Sequence, residues 1–146
     1  YVSWMDAETF DQQKANLERG GQQVTDEEFT LHLLNEQVQK LDVQDDLISQ
    51  KLLYLRIADL QHHRMGLDPY DARAALFRCE LLHDAQQLGY DWKVKVHASC
   101  KCENCSRVDG KVMTIQEALV KMPLPVRGCE MKPFARYDGY VEDENS

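Results

Sequence analysis

Chemistry in this chain is most readily carried by its cysteines. There are five, at positions 79, 100, 102, 105 and 129, and four of them fall in the last third of the sequence. Cys102-Glu103-Asn104-Cys105 is a CxxC turn, which can present two sulfurs to one ion, and Cys100 extends it to CxCxxC. Zinc takes four thiolate or imidazole ligands in a tetrahedron. Cys129 can supply a third sulfur from beyond the knuckle, and the fourth ligand is Cys100, His97 or a less obvious group. The ligand set favoured is Cys100, Cys102, Cys105 and Cys129. Four protein ligands would make a closed, structural site, whereas three and a water would make an open and reactive one. Free thiols and a redox pair are the competing readings. A redox pair needs its CxxC at a helix N-terminus to lower a thiol pKa, and the sequence after Cys105 predicts a hairpin instead.

The other chemical candidates are weaker. His62 and His63 are neighbours, and on a helix adjacent side chains point about 100° apart, so they cannot easily share one ion. His83-Asp84 fails as a base and its orienter for the same reason. His32 lies among leucines, on the flank of a helix. Cys79 reads as a small core residue. The acidic groups Asp42, Asp45, Asp46 and Glu27-Glu28 read as carboxylates at helix N-termini, where the macrodipole favours them. No nucleophile elbow, phosphate-cradling glycine loop or HExxH motif is present. No catalytic residue is assigned.

The elements that must position the cysteines follow from periodicity. Asp6 to Arg19 predicts a polar helix closed by Gly20-Gly21. Thr25 and Glu28 form a capping box for a second helix, whose Leu31, Leu34, Val38 and Leu41 make one apolar stripe. A third helix is expected from Asp42 or Asp45 to Met65. Leu47, Ile48, Leu52, Leu53, Leu55, Ile57 and Leu60 give it a wide apolar face suited to the centre of a bundle, and Gly66 caps its end. Asp68 and Pro69 open a fourth helix that Gly89 closes. The texture then changes. Trp92, Val94 and Val96 alternate with Lys93, Lys95 and His97, the period of a half-buried strand. After the knuckle, Asp109-Gly110 signals a type I′ hairpin turn. Thr114 and Glu117 cap a short helix from Ile115 to about Met122, Pro123 and Pro125 end it, and a last strand is expected around Phe134 to Val141. The expected fold is α+β: a helical bundle of three to four helices over residues 1–89, then a small zinc-knuckle and β-hairpin module over 90–146.

Cys102-Glu-Asn-Cys105, Asp109-Gly110-Lys111, Pro123-Leu124-Pro125 and Cys129 together resemble a pattern at the C-terminal ends of phage minor head (head-morphogenesis) proteins and related prophage-borne domains. The resemblance is confined to this segment. Where that pattern has a further cysteine pair, this chain has Phe134-Ala135-Arg136-Tyr137. It implies a structural or assembly role, with the cysteines holding the fold together. Knuckle, hairpin and short helix also follow the order of a treble-clef zinc module. Some nucleases use that scaffold with a histidine beside the hairpin, but no histidine lies between Cys105 and Ser146.

Composition bounds the rest. A chain of 146 residues with 43% hydrophobic content can bury a core without staples. A net charge of −8 repels phosphate and disfavours nucleic-acid binding, which is driven by counterion release from basic contacts. Lys93, Lys95, Lys101, Arg107 and Lys111 nonetheless cluster near the cysteines and keep a nucleic-acid-binding zinc module as an alternative. No apolar run reaches the roughly 20 residues that span a bilayer, and clustered CxC and CxxC spacings suit a reducing, cytoplasmic compartment. The chain opens at Tyr1 rather than Met, as a processed form, an excised domain or part of a longer protein would. A non-enzymatic module binding a protein partner is the reading favoured. The alternative is an enzyme with an open zinc site or reactive thiol, in which His97 or Asp109 orients and Cys100 or Cys105 reacts.

Overall fold

The computed structural model describes residues 4–21, 23–43, 46–98, 100–129 and 135–141. The fold is α+β. In chain order the elements are α1 (Ala7–Glu18), α2 (Asp26–Val43), α3 (Leu47–Asp59) running into a π-helical turn (Leu60–Arg64), α4 (Tyr70–Leu88), β1 (Lys93–His97), α5 (Glu103–Ser106), β2 (Val112–Thr114), α6 (Ile115–Lys121) and β3 (Arg136–Gly139). They form two compact units, Tyr1–Pro69 and Tyr70–Ser146.

The first unit holds α1 to α3. Its helices start where short polar side chains satisfy orphaned N–H groups. Asp6 accepts from Thr9 N at 2.7 Å, the Thr25 hydroxyl from Glu28 N at 3.1 Å, and Asp46 from Ser49 N at 3.0 Å. Phe10, Phe29, Leu33, Leu34, Val38, Leu53 and Ile57 are buried, and Phe10 meets Phe29 edge to face at 4.9 Å between centroids.

The third helix differs from its sequence reading in two ways. Asp42 belongs to α2 and Asp46 is the cap of α3, while Asp45 lies outside the described residues. The wide apolar face is only half used. Leu53 and Ile57 are buried, but Ile48, Leu52 and Leu55 stay 58%, 58% and 48% exposed. Periodicity reports how apolar a face is, not how many neighbours exist to cover it. Gly66 does end the helix, at φ +64°, with Leu67 N donating to Gln61 O at 2.8 Å.

The second unit begins one helix earlier than expected. The boundary falls after Pro69, not after Gly89, so α4 belongs with the sheet. The reason is packing: Leu81 and Ala85 of α4 share a buried cluster with Val94 and Val96 of β1, Met113 of β2, Ile115 and Ala118 of α6, and Leu124. Gly89 ends the helix but not the core. Cys79 of α4 is buried, as a core residue should be.

The sheet is antiparallel in the order β2-β1-β3. Lys93 pairs with Thr114 and Lys95 with Val112 on one side of β1; Lys95 pairs with Asp138 and His97 with Arg136 on the other. The expected tight hairpin at Asp109-Gly110 is not what joins β1 to β2. Residues 103–106 are helical, Asp109 N donates to Cys105 O at 2.9 Å, and of the Asp-Gly pair only Gly110 has positive φ, at +80°. A type I′ turn needs both positions positive. Here the Asp-Gly pair ends a turn that follows α5, and the whole stretch 98–111 is the connection between two paired strands. Gly110 N then donates to Val96 O and Val96 N to Lys111 O, both at 2.8 Å, which carries the pairing up to the knuckle.

Candidate metal centre

Two segments of the second unit bring the cysteines together. The first is the 98–111 connection. Cys102 is the N-cap of α5, and its sulfur accepts from Cys105 N at 3.4 Å. Cys102 N in turn donates to Cys100 Sγ at 3.4 Å. These N–H donors stabilise negative sulfur, the form in which cysteine binds a metal. The segment is held by Asp109, whose carboxylate accepts from Ala98 N at 2.9 Å.

The second segment delivers Cys129. α6 is fixed at its start by the capping box expected from Thr114 and Glu117, which is present in full, and ends at Met122 in the left-handed region. The chain then turns through Leu124, which is fully buried and whose N–H donates to the Tyr137 hydroxyl at 3.3 Å. The Arg127 guanidinium lies over the Tyr70 ring at 3.8 Å. Gly128 has φ +77°, and a Cβ there would come within 2.7 Å of Asn104 Nδ2 on α5. Glycine therefore lets the two segments meet at close range.

Cys100, Cys102, Cys105 and Cys129 result as one cluster, with every sulfur within 4.8 Å of every other. A tetrahedron with Zn–S bonds of 2.3 Å has sulfurs about 3.8 Å apart, so the set needs only a small contraction to close on an ion. Cys105 is fully buried and the other three are partly so. The cluster can hold a metal ion. His97, the other candidate for fourth ligand, is not part of it and sits on β1 opposite Arg136.

The sulfurs are electrostatically unequal. The backbone N–H of Cys105 lowers the Cys102 thiol to about 7. Burial pushes the Cys105 and Cys129 thiols upward. The residues after Cys102 form a short helix that Cys102 caps, not the expected hairpin, so the CxxC does stand at a helix start, as a redox pair requires. What speaks against an isolated pair is that two further sulfurs converge on it. The Asp109 carboxylate is engaged by Ala98 N, which removes it as a free activating group. Of the cations near the knuckle, Arg107 is paired with Glu103 at 2.7 Å.

No protein-family model, curated protein or solved structure matches this chain. Among the described residues, no helix is long and apolar enough to cross a membrane.

Proposed function

We propose that this chain is a non-enzymatic binding or assembly module whose second unit is held together by a structural zinc ion on Cys100, Cys102, Cys105 and Cys129. One observation carries the reading: four sulfurs from two chain segments converge within 4.8 Å. Four thiolates fill a tetrahedral shell and leave no position for substrate or water. The N–H donors to Cys100 and Cys102 are the outer-shell contacts that orient metal-bound thiolates.

A protein partner is supported by Ile48, Leu52 and Leu55, which are exposed on α3 at the i, i+4, i+7 spacing of an amphipathic docking helix. Residues 1–69 hold 13 of the 25 acidic residues and only 6 of the 17 basic ones, so such a partner would meet this helix in an acidic setting. An assembly role in a phage or prophage particle, implied by the C-terminal pattern, belongs to the same proposal.

Metal analysis tests it. The purified chain is expected to carry one zinc per molecule, and cobalt(II) substitution is expected to give the absorption of a tetrahedral four-thiolate site. A chain that takes up no metal and leaves all its thiols reactive overturns the proposal.

A second reading, thiol chemistry at Cys102 and Cys105, is favoured by the lowered Cys102 thiol at the start of α5. It requires Cys102 to stay alkylatable in the zinc-loaded protein. A four-thiolate site requires that it be protected.

A further inference from the structure

We infer that the first unit carries a separate binding site, for a small zwitterion, in the cavity between the start of α2 and the end of α3. The cavity has a volume of about 460 Å³ and is lined by both elements. That is the lower part of the range for small-molecule sites.

Its walls carry charge of both signs. Glu27 stands on the α2 side, and Arg56, Asp59 and Arg64 on the α3 side. None of these four makes an ion pair among the described residues. Asp26 differs, because its carboxylate is taken by Lys14 Nζ at 2.9 Å. The lining includes Thr30, whose hydroxyl makes no hydrogen bond among the described residues and is not shut away from solvent, so it is open to a ligand.

The π-helical turn gives a second, independent pointer. On a regular α-helix Arg64 would sit about 80° round the axis from Arg56. The wider winding of Leu60–Arg64, closed by Met65 N donating to Leu60 O at 3.1 Å, rotates it back toward the face of Arg56. Turns of this kind recur at functional sites.

The charge balance selects the ligand. Two guanidinium groups on one wall suit a carboxylate. Asp59 beside them counts against a multiply charged anion. Glu27 on the opposite wall suits an ammonium group. The site therefore fits a molecule that is neutral overall, with a carboxylate and an ammonium separated by a short chain, as in an ω-amino acid.

An amide chemical-shift titration of the full chain with δ-aminovalerate tests this. Glutarate and cadaverine serve as the matching compounds with one sign of charge. Saturable shifts confined to residues 26–34 and 56–66 are expected with δ-aminovalerate, with the other two at least about tenfold weaker. Arg64→Gln, at an exposed position, is expected to weaken binding about tenfold, and Thr30→Val to weaken it measurably without loss of fold. Absence of saturation, equal binding of either single-sign compound, or unchanged affinity in Arg64→Gln overturns the inference. Cys102→Ser is expected to leave the titration unaltered, so this site stands or falls apart from the metal centre.

Discussion

At the scale of single residues, the cysteine cluster depends on small local contacts. In the metal-free protein Cys102 is held near 7 against an ordinary value of 9.0 by the Cys105 N–H. Its folded value is depressed, so the stability it contributes is present above the unfolded value and is lost as pH falls through about 7. The alkylation rate of metal-free protein should therefore show one thiol titrating near 7 that Cys102→Ser abolishes; a first titration near the ordinary value would refute the N-cap contact. Gly128 is the other sensitive point. Gly128→Ala places a Cβ against Asn104 in a left-handed backbone. It should cost the second unit about 1–2 kcal/mol in denaturant unfolding, and a change within a few tenths would show that the two segments do not approach so closely.

Elements position these residues through their ends. Thr114 and Glu117 start α6, Met122 stops it, and Tyr137 of β3 reaches Leu124 in the segment that leads to Cys129. Tyr137 also meets Phe77 edge to face at 5.8 Å. Burial pushes its phenol up to about 12 from 10.0. With the folded value raised, the stability from the neutral phenol is complete below 10.0 and lost as pH rises through about 12. Tyr137→Phe should destabilise the second unit by about 1–3 kcal/mol, because the Leu124 N–H loses its partner, and should flatten the alkaline loss of stability. Equal alkaline slopes in the two proteins would assign that loss to other groups. The three-residue strand β2 likewise depends on partners. It pairs with β1 through Lys93, Val94 and Lys95, and Met113 is buried in the shared core.

At the scale of the molecule, the chain divides into two compact units, and the second holds a buried apolar cluster of its own residues. In the proposed zinc form, chelation should lower the unfolding transition of the second unit and leave that of the first in place, because metal binding and folding are coupled only where the ligands sit. Hydrogen exchange is the measurement: protection should fall most in 98–111 and 126–129 and stay unchanged in α1 to α3. Uniform loss across both units would overturn that expectation.

The sequence by itself determined two helix starts, since a cap is a local contact between a side chain and the backbone three residues on: Thr25 and Thr114 were legible for that reason, whereas the start of α3 at Asp46 was not. It determined β1, through alternation, and the helix-ending glycines at 66 and 89. The four sulfurs were legible as a set from residue type and spacing. Tertiary structure alone decided that Cys100 rather than His97 completes the cluster, because that depends on which way the 98–111 connection folds. It decided that α4 belongs with the sheet, because a helix face does not specify its neighbour. It also decided the fate of the Asp-Gly pair. Two residues with hairpin propensity end a turn instead, where the thiol of Cys102 caps α5 and the strands find their pairing across a longer connection. The cavity beside Thr30 left no local signal, because its walls come from helices whose facing charges lie some thirty residues apart in the chain.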